Sequence, residues 1–435
     1  MKRTFGGASG RQAVATMSFR WRTVRTCLLA AATLAGLAAC SSDDQNRAAL
    51  DPAPQAAPTP RVDSQPLGAL PGGSPAPSAT IGAGAVKVAL ILPESSSGNA
   101  RAAAASMKNA AELALSEFNT SDIQLVVKDD GGTAQGARAA AQSAADEGAK
   151  LVLGPLFAHS VASAAQVAKQ RNLPVLAFST DQSVASPGVY LLSFMPESDA
   201  DRIVSYAVAQ GKRSFAALIP ETGYGSVVEG AFQQAVAKAG GRVVGLEHYG
   251  LDKAKMADAV SRISTALPQA DALLIPDTVD DVQQLVGLLA ANGVNLKRLQ
   301  LLGTGLWDDP AAGRDASLSG AWYAAPDQSG YKAFAERYRA KYGADPVRTA
   351  SLAYDATALA ASLVKAKGPD GLTSAAFTDP SGFAGVDGSF RFESGGGNQR
   401  ALAVYKVQAG GATMLSPPPK SFEGQTAQAA PQQAN

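Results

Sequence analysis

The sequence contains few of the side chains on which most enzymes depend. Its 435 residues include only two histidines, His159 and His248, and two cysteines, Cys27 and Cys40. No HExxH, CxxC, GxSxG or GxxxxGKS/T pattern occurs, so zinc peptidases, thiol–disulfide enzymes, α/β-hydrolases and P-loop NTPases all lack their usual residues here. The sequence therefore predicts a protein without catalytic activity, metal or cofactor.

A hydrophobic run of the roughly 20 residues that a membrane-spanning helix needs is also lacking. The nearest candidate is the apolar stretch 27–37, which follows Arg20, Arg22 and Arg25 and ends in Leu37-Ala38-Ala39-Cys40. Basic residues, a short apolar core and small residues, in that order, are typical of a signal peptide. The Leu-Ala-Ala-Cys ending resembles the signal of bacterial lipoproteins, and a signal peptide with an incidental cysteine is the alternative.

The lipoprotein resemblance implies that residues 1–39 are removed and that Cys40 becomes the acylated, membrane-anchored first residue. Ser41 and Ser42 follow Cys40, which by the lipoprotein sorting rule favours the periplasmic side of the outer membrane over the inner membrane. Six of the 38 basic residues lie in 1–39, which leaves 32 against 37 acidic residues, a net charge of −5. A chain without a basic excess is not expected to bind nucleic acid.

Two segments lack apolar periodicity altogether. Eight prolines fall between Pro52 and Pro77, among Ala, Gly, Ser and Gln. Such a composition cannot bury enough apolar surface to offset the entropy of ordering. We therefore expect 40–85 to be a disordered tether behind the acylated cysteine, and the Pro/Gln/Ala-rich stretch 408–435 to be a disordered tail.

Residues 86–407 alternate short apolar runs with helical patterns. One series runs from Val86 to Phe194, and the alternation then restarts over 214–302. Short continuous apolar strands are typical of parallel sheets covered on both faces. The sequence predicts an α/β protein with two doubly wound parallel-sheet lobes and a cleft between them, at the carboxyl ends of the strands.

The C-terminal third carries a distinctive order of motifs. Phe334, Arg337, Tyr338 and Tyr342-Gly343 lead into Ala353-Tyr354-Asp355-Ala356, and then come Phe383-Ala384-Gly385-Val386-Asp387-Gly388, Phe390-Arg391-Phe392, Arg400 and Val404-Tyr405-Lys406-Val407. In this order the motifs resemble the type 1 periplasmic binding proteins, in the leucine-binding-protein family. The resemblance covers 86–407.

This resemblance implies two lobes joined by three crossings of the chain. Lobe one would hold about 86–194 and 326–375, and lobe two about 199–320 with 380–407 returning to it. The crossings would fall near Phe194–Asp199, Gly303–Asp308 and Tyr323–Asp327. Closure of the two lobes on a ligand would be a hinge motion.

Amino-acid receptors of that family hold the ligand carboxylate with hydroxyl groups after the third and fourth strands. At the corresponding positions this chain has Ala158, with Ser160 nearby, and Asp181. An acidic side chain would repel a carboxylate in a closed cleft. Tyr224, in contrast, matches a cleft tyrosine that the receptors use, so the amino-acid clamp is at best half present.

Other segments resemble the C-terminal domain of penicillin-binding protein activators, which are outer-membrane lipoproteins. They are Val152-Leu153-Gly154-Pro155-Leu156, Pro174-Val175-Leu176-Ala177-Phe178, Met195-Pro196-Glu197-Ser198-Asp199-Ala200 and Leu218-Ile219-Pro220. The resemblance implies activation of a peptidoglycan synthase across the periplasm. The alternative is a receptor that delivers an amino acid or another small polar ligand to the permease of an ABC importer.

Both functions place the same residues at the cleft, because these residues follow parallel strands. They are Glu94, Ser95, Ser96, Phe157, His159, Ser160, Ser179, Thr180, Asp181, Tyr224, Asp277 and Trp307. His159 is interpreted as cleft lining rather than as a general base, and Trp307 either stacks on a ligand or packs at a crossing. The acidic groups Glu197/Asp199/Asp201 and Asp277/Asp280/Asp281 are interpreted as helix-start residues rather than as metal or acid–base sites.

Overall fold

The computed structural model describes residues 79–118, 122–250, 252–420 and 422. The predicted signal peptide, Cys40 and nearly all of the predicted tether lie outside these residues, as does most of the predicted tail. Within the described ranges, no helix combines the length and the hydropathy needed to cross a bilayer.

Lobe one is built on a six-stranded sheet. Its strands are β1 (Thr80–Ile81), β2 (Val86–Leu92), β3 (Ile123–Asp129), β4 (Leu151–Leu153), β5 (Val175–Ala177) and β6 (Val189–Leu191). They lie in the order β1-β3-β2-β4-β5-β6. The pair β1–β3 is antiparallel and the other neighbours are parallel. The connecting helices are α1 (Gly98–Phe118), α2 (Ala134–Asp146) and α3 (Ala158–Gln170).

Both faces of this sheet are buried, as its continuous apolar strands predict. Val88 and Leu90 of β2 point into one core together with residues of α1. Ala89 and Ile91, which alternate with them, point into a second core against α2 and α3. Because side chains alternate across a strand, a strand that is buried on both faces is apolar at nearly every position.

Lobe two is built on a seven-stranded sheet. Its strands are β7 (Ser214–Pro220), β8 (Arg242–Tyr249), β9 (Ala272–Leu274), β10 (Gln300–Gly303), β11 (Trp322–Ala325), β15 (Ala403–Gln408) and β16 (Gly411–Ser416). The order is β16-β15-β11-β10-β9-β7-β8. The helices are α4 (Pro196–Ala209), α5 (Gly223–Lys238), α6 (Lys253–Ile263) and α7 (Val279–Ala291). The predicted two-lobed α/β fold is confirmed.

Between β11 and β15 the chain returns to lobe one. It forms the helices α8 (Gln328–Tyr342), α9 (Ala350–Lys367) and α10 (Ser374–Phe377), and a small sheet of β12 (Phe383–Gly385), β13 (Gly388–Phe392) and β14 (Asn398–Arg400). Leu352 and Ala356 of α9 pack in the core that α1 and β2 share.

The small sheet corrects the predicted lobe boundary, because 380–400 belong with lobe one. Phe390 and Phe392 lie in the core of lobe one with Tyr190. The side-chain amide of Asn398 donates to the carbonyls of Leu191 (2.6 Å) and Ser193 (3.0 Å). Only the stretch from Ala403 onward joins lobe two, through the antiparallel pair β11–β15. A hairpin pattern indicates strands but does not identify the sheet that they join.

Two further expectations are wrong. Residues 303–308 connect β10 to β11 inside lobe two, so they are not a crossing; the third crossing is the short link 401–402 between β14 and β15. The expected disordered tail also begins too early, because β16 pairs with β15 over Gly411–Ser416. β16 lies at the edge of the sheet and none of its residues is fully buried, so its sequence shows no alternation between a buried and an exposed face.

Candidate functional site at the cleft and hinge

The turns that follow β2 and β3 meet at one edge of lobe one. The carboxylate of Glu94 pairs with Lys108 of α1 at 2.7 Å. The backbone N–H of Ser95 donates to Oδ1 of Asp129 (3.1 Å), and the carbonyl of Ser96 accepts from Nε of Arg101 (2.7 Å). Glu94 and Ser96 therefore contact the helix that follows them, and Ser95 connects the turn after β2 with the turn after β3.

The turn that follows β4 reaches the same edge. Nε2 of His159 lies 2.8 Å from the carbonyl oxygen of Gly132, and its ring stacks on Phe157 with the centroids 5.7 Å apart. Ser160 is fully buried, and its hydroxyl donates to the carbonyl of Thr133 (3.4 Å). His159 thus connects the turn after β4 with the turn after β3 through a backbone carbonyl.

The turn that follows β5 is organised around Asp181. The carboxylate of Asp181 accepts from the N–H of Ser183 (2.9 Å), and the hydroxyl of Ser179 accepts from the N–H of Asp181 (3.1 Å). Thr180 between them is exposed. Asp181 and Ser179 thus act as turn-forming side chains, and both hydrogen bonds are local.

On lobe two, Tyr224 and Asp277 are held by internal partners. Tyr224 lies in the first turn of α5, which Thr222 caps by accepting from the N–H of Gly225 (3.0 Å). The Tyr224 hydroxyl donates to Oγ1 of Thr304 (2.8 Å). The carboxylate of Asp277 accepts from the Tyr249 hydroxyl (2.6 Å), and burial raises its pKa.

Trp307 does not line the cleft. It is fully buried in the core of lobe two, and its indole lies against Gly303. A Cβ atom placed on Gly303 would come within 2.2 Å of the indole ring. Of the two interpretations of Trp307, packing is correct and ligand stacking is wrong.

A cavity of about 170 Å³ lies beside the crossings, at the floor of the cleft. Phe194 and Met195 from the first crossing, Pro326 from the second and Leu402 from the third contribute to its wall. Leu306 also lines it and is 41% exposed, which is high for a large apolar side chain in this protein. Of the predicted cleft residues, Tyr224 lines this cavity, whereas none lines the larger hollows beside Ser264, Asp280 and Lys169.

Four charged side chains line the same cavity: Asp199, Asp308, Arg348 and Arg400. None of them was among the predicted cleft residues, and Asp199 was interpreted as a helix-start acid. Its carboxylate does lie in the first turn of α4, and it also accepts from the backbone N–H of Gly305 (2.9 Å). This bond ties the first crossing to the β10–β11 connection.

The two arginines behave differently. Arg348 forms a bidentate pair with the fully buried Asp387, at 2.9 Å from Nη1 to Oδ2 and 2.6 Å from Nη2 to Oδ1. Arg400 is only 6% exposed, and its Nη1 donates to the carbonyl of Asp387 (3.2 Å). Among the described residues, Nε and Nη2 of Arg400 have no hydrogen-bond partner.

Burial dominates the electrostatics of the hinge. It raises the pKa of Asp199 to about 7, against the lowering effect of the Gly305 N–H. It also raises the pKa of Asp355 to about 7, although Arg400 and the N–H of Val386 oppose this. Asp308, which accepts from Gln328 and Tyr323, has its pKa raised for the same reason.

These arrangements decide what the site can do chemically. No group of three or more His, Cys, Asp or Glu side chains in the described part of the chain could hold a metal ion. The acidic groups at the starts of α4 and α7 bind backbone N–H groups or neighbouring hydroxyls. What the hinge does offer is a partly apolar cavity that is also lined by two aspartates and two arginines.

Comparison with known proteins gives one matching family model. The model, described as periplasmic binding protein, matches residues 85–412. A putative branched-chain amino acid ABC transporter protein from Rhodospirillum rubrum is 21% identical, with a TM-score of 0.68 over 76% of this chain and 100% of that one. A solute-binding protein from R. palustris, solved with benzoate, is 18% identical, with a TM-score of 0.55 over 78% and 98%.

One curated relative is similar over a shorter stretch. The penicillin-binding protein activator LpoA of Pantoea ananatis is 32% identical over 110 residues, which is 25% of this chain. The match spans 16% of the length of that relative.

Proposed function

This chain belongs to the periplasmic binding protein family, and from that premise we propose that it is a non-catalytic lipoprotein that activates a peptidoglycan synthase. In this proposal Cys40 carries the acyl anchor, and the folded lobes stand on the periplasmic side of the outer membrane. The synthase, a penicillin-binding protein, is the partner.

The observation that carries the proposal is the state of the cleft on lobe one. The position where an amino-acid receptor needs a hydroxyl is Ala158, and the nearby Ser160 is buried with its hydroxyl on Thr133. The hydroxyl of Ser179 accepts from the N–H of Asp181, beside a carboxylate that would repel a ligand carboxylate. A cleft of this kind is poorly equipped to hold an amino acid.

The similarity to the activator of Pantoea ananatis supports the same conclusion. That similarity is 32% over 110 residues, whereas the solute-binding structures reach only 18–21%. The predicted tether adds a physical reason, because a flexible chain of 45 residues would average about 40 Å from end to end. Such a reach suits a protein that must touch an enzyme anchored in the opposite membrane.

The direct test uses the full chain, purified with its anchor in detergent, and a purified bifunctional peptidoglycan synthase from the same cells. We expect the chain to bind the synthase at micromolar concentration and to raise its rate of glycan polymerisation or cross-linking several-fold. The matched control is Cys40→Ala in the same detergent, which should stimulate equally because the anchor is not needed there. Neither binding nor stimulation by the wild-type chain would reject the proposal.

The anchor itself is tested separately in cells. Cys40→Ala should move the protein from the outer-membrane fraction to the soluble periplasm or leave its signal peptide uncleaved. Mass spectrometry of the wild-type N-terminal peptide should show a diacylated or triacylated Cys40. A wild-type protein with an unmodified Cys40 would contradict the lipoprotein prediction, and the synthase would still be tested by the binding experiment.

The second candidate function is a receptor of an ABC importer for amino acids or another small polar solute. It is favoured by Tyr224, whose position matches the receptor tyrosine and which lines the cavity beside the crossings. A panel of amino acids is added to the full chain and thermal unfolding is followed. A ligand at a hundredfold excess over its dissociation constant would stabilise by about 2.7 kcal/mol. We expect no such shift; a shift that is lost in Tyr224→Ala would establish the receptor instead.

A further inference from the structure

The chain connects the two lobes once more after β16. That strand ends at Ser416 on lobe two, and three prolines and Lys420 follow it. Phe422, two residues further on, is only 3% exposed. We refer to residues 417–422 as the C-terminal strap. The three crossings described above lie earlier in the chain, so the strap is an additional connection.

Arg202 of α4 holds the end of the strap that lies on lobe two. Its Nη2 donates to the hydroxyl of Ser416 (2.7 Å) and to the carbonyl of Pro417 (3.2 Å). Its Nε donates to the carbonyl of Leu402 (2.8 Å), in the third crossing. Hydrogen bonds from a charged donor are stronger than those between neutral groups. One guanidinium therefore fixes the start of the strap beside the third crossing.

Phe422 holds the other end of the strap, on the small sheet of lobe one. Its ring centroid lies 5.1 Å from Cζ of Arg391 in β13, a distance typical of a cation–π contact. Nε and Nη2 of Arg391 donate to Oε1 of Gln399 (2.9 Å and 2.6 Å), which holds the guanidinium in place. A Cβ atom placed on Gly382 would come within 2.9 Å of the Phe422 ring, so the ring lies directly against the backbone there.

The sequence of the strap suits a segment that docks at a fixed distance. Three consecutive prolines have a fixed φ and favour the extended polyproline II conformation. They lose less conformational entropy on ordering than other residues do, and without N–H groups they cannot continue the pairing of β16. Phe422 is the only aromatic or large aliphatic residue in 417–435. The strap is thus a stiff spacer that ends in a single apolar anchor.

The two anchors of the strap differ in the number of contacts that hold them. The anchor on lobe two combines the pairing of β16 with β15 and the hydrogen bonds of Arg202. The anchor on lobe one depends on the ring of Phe422. Segments near a chain terminus that have few buried contacts open at a low free energy. Phe422 is therefore the end of the strap that opens first.

We propose that the C-terminal strap is a latch between the lobes, with Phe422 as its releasable anchor. While Phe422 is docked, the five residues from Pro417 to Phe422 span at most about 18 Å. The strap then limits how far the lobes can rotate about the three crossings. Release of Phe422 removes this limit, so that other lobe arrangements become populated. The latch acts in the same way whichever partner the protein has.

Limited proteolysis of the full chain tests whether Phe422 is docked. Trypsin cleaves after Lys420, whose side chain is exposed, but a protease cuts a docked segment only when it opens locally. Phe422→Ala should speed the release of the 421–435 peptide by about tenfold, and Phe422→Leu, which keeps an apolar side chain, should speed it less. Cleavage after Lys297, in the loop between α7 and β10, is the internal control. Equal release of the peptide from the wild type and from Phe422→Ala would overturn the proposal.

Distances between the lobes test whether the docked strap restrains them. Spin labels are attached at Ala162→Cys on α3 and Gln234→Cys on α5, which are exposed positions on lobe one and lobe two. The full chain carries alanine in place of Cys27 and Cys40, so that only the two introduced thiols react. Double electron–electron resonance then gives the distribution of distances between the labels.

Phe422→Ala and a chain that ends at Ser416 should both broaden this distribution about twofold, because both release the strap from lobe one. Lys420→Ala changes an exposed residue of the strap and is the matched control, which should leave the distribution unchanged. Because Phe422 lies outside the cores of both lobes, all three variants should keep the circular dichroism spectrum of the wild type. A distribution that stays as narrow in Phe422→Ala and in the shortened chain as in the wild type would reject the latch.

Discussion

The cleft face of lobe one and the hinge both contain polar side chains, but these side chains differ in whether they have hydrogen-bond partners. On the cleft face, Asp129, Asp181 and Ser179 bind backbone N–H groups of their own turns. At the hinge, two donors of the buried Arg400 and one oxygen of Asp355 have no hydrogen-bond partner among the residues that the structure describes.

The pKa values of two aspartates express this difference. Asp129 is exposed, and although partial burial opposes it, hydrogen bonds from Ser95 and Gly131 lower its pKa. Asp355 is buried, and burial raises its pKa to about 7. Polar groups that bind one another need no further partner, whereas buried polar groups without a partner cost free energy unless water or another group satisfies them.

The largest expected effect comes from Asp387, which is fully buried and pairs with Arg348, whose side chain is 37% exposed. Asp387→Ala removes the bidentate partner of Arg348 and a carboxylate that offsets the charge of the buried Arg400, and it should lower the free energy of unfolding by about 3 kcal/mol. The measurement is urea unfolding of the full chain followed by circular dichroism. A loss below about 1 kcal/mol, the value typical of exposed pairs, would mean that the hinge pair is no different from a surface pair.

The second prediction concerns pH. The pKa of Asp355 is raised, so the native state holds this proton more tightly than the unfolded chain, whose aspartates titrate near 4. The contribution of this proton to the stability of the native state is complete below about pH 4, and it is lost as the pH rises through about 7. Between pH 5 and 8 this group should cost the wild type about 2–3 kcal/mol.

Thermal unfolding of Asp355→Asn and wild type over pH 5–8 measures this cost. The stability of Asp355→Asn relative to the wild type should increase as the pH rises. Asp129→Asn is the matched control, because the pKa of Asp129 is lowered and its contribution to stability changes only in acid, below this range, so its curve should run parallel to that of the wild type over pH 5–8. Parallel stability curves for Asp355→Asn and the wild type would show that the hinge carboxyl titrates normally.

The two regions also differ in how well the sequence predicts them. The strands and helices that surround the cleft follow from local periodicity, and the rule that loops after parallel strands meet at one edge places Ser95, His159 and Asp181 together. The hinge follows from no local pattern. Phe194 and Arg400 are more than two hundred residues apart, and only the folded crossings bring them into contact.

The misplaced small sheet has the same cause. Its alternating aromatic residues predict strands, but its membership of lobe one depends on particular contacts. Asn398 donates to the carbonyls of Leu191, at the end of β6, and of Ser193 just after it, and the carbonyl of Gly396 accepts from the N–H of Leu191 (2.8 Å). A signal for Arg400 was present in the sequence as an arginine between two apolar strands, but nothing local showed that it would be buried.

A third prediction examines the border between the two regions. Tyr224→Phe removes the hydroxyl that donates to Thr304, whose side chain is fully buried. The loss of this bond should lower the free energy of unfolding by about 1 kcal/mol. Thr304→Val in the Tyr224→Phe background should cost little more, since the hydrogen bond is already gone. Two additive losses would indicate that Thr304 has another role.

The smallest effect is expected on the cleft face. Glu94 and Lys108 form an ion pair whose side chains are 29% and 33% exposed, and such pairs contribute about 0–1 kcal/mol because water and salt screen them. Glu94→Gln should therefore change the free energy of unfolding by less than about 1 kcal/mol. The difference should vanish at about 1 M salt, where the screening length is near 3 Å. A larger loss that persists in salt would show that this face, too, depends on buried charge, and the contrast between cleft and hinge would no longer hold.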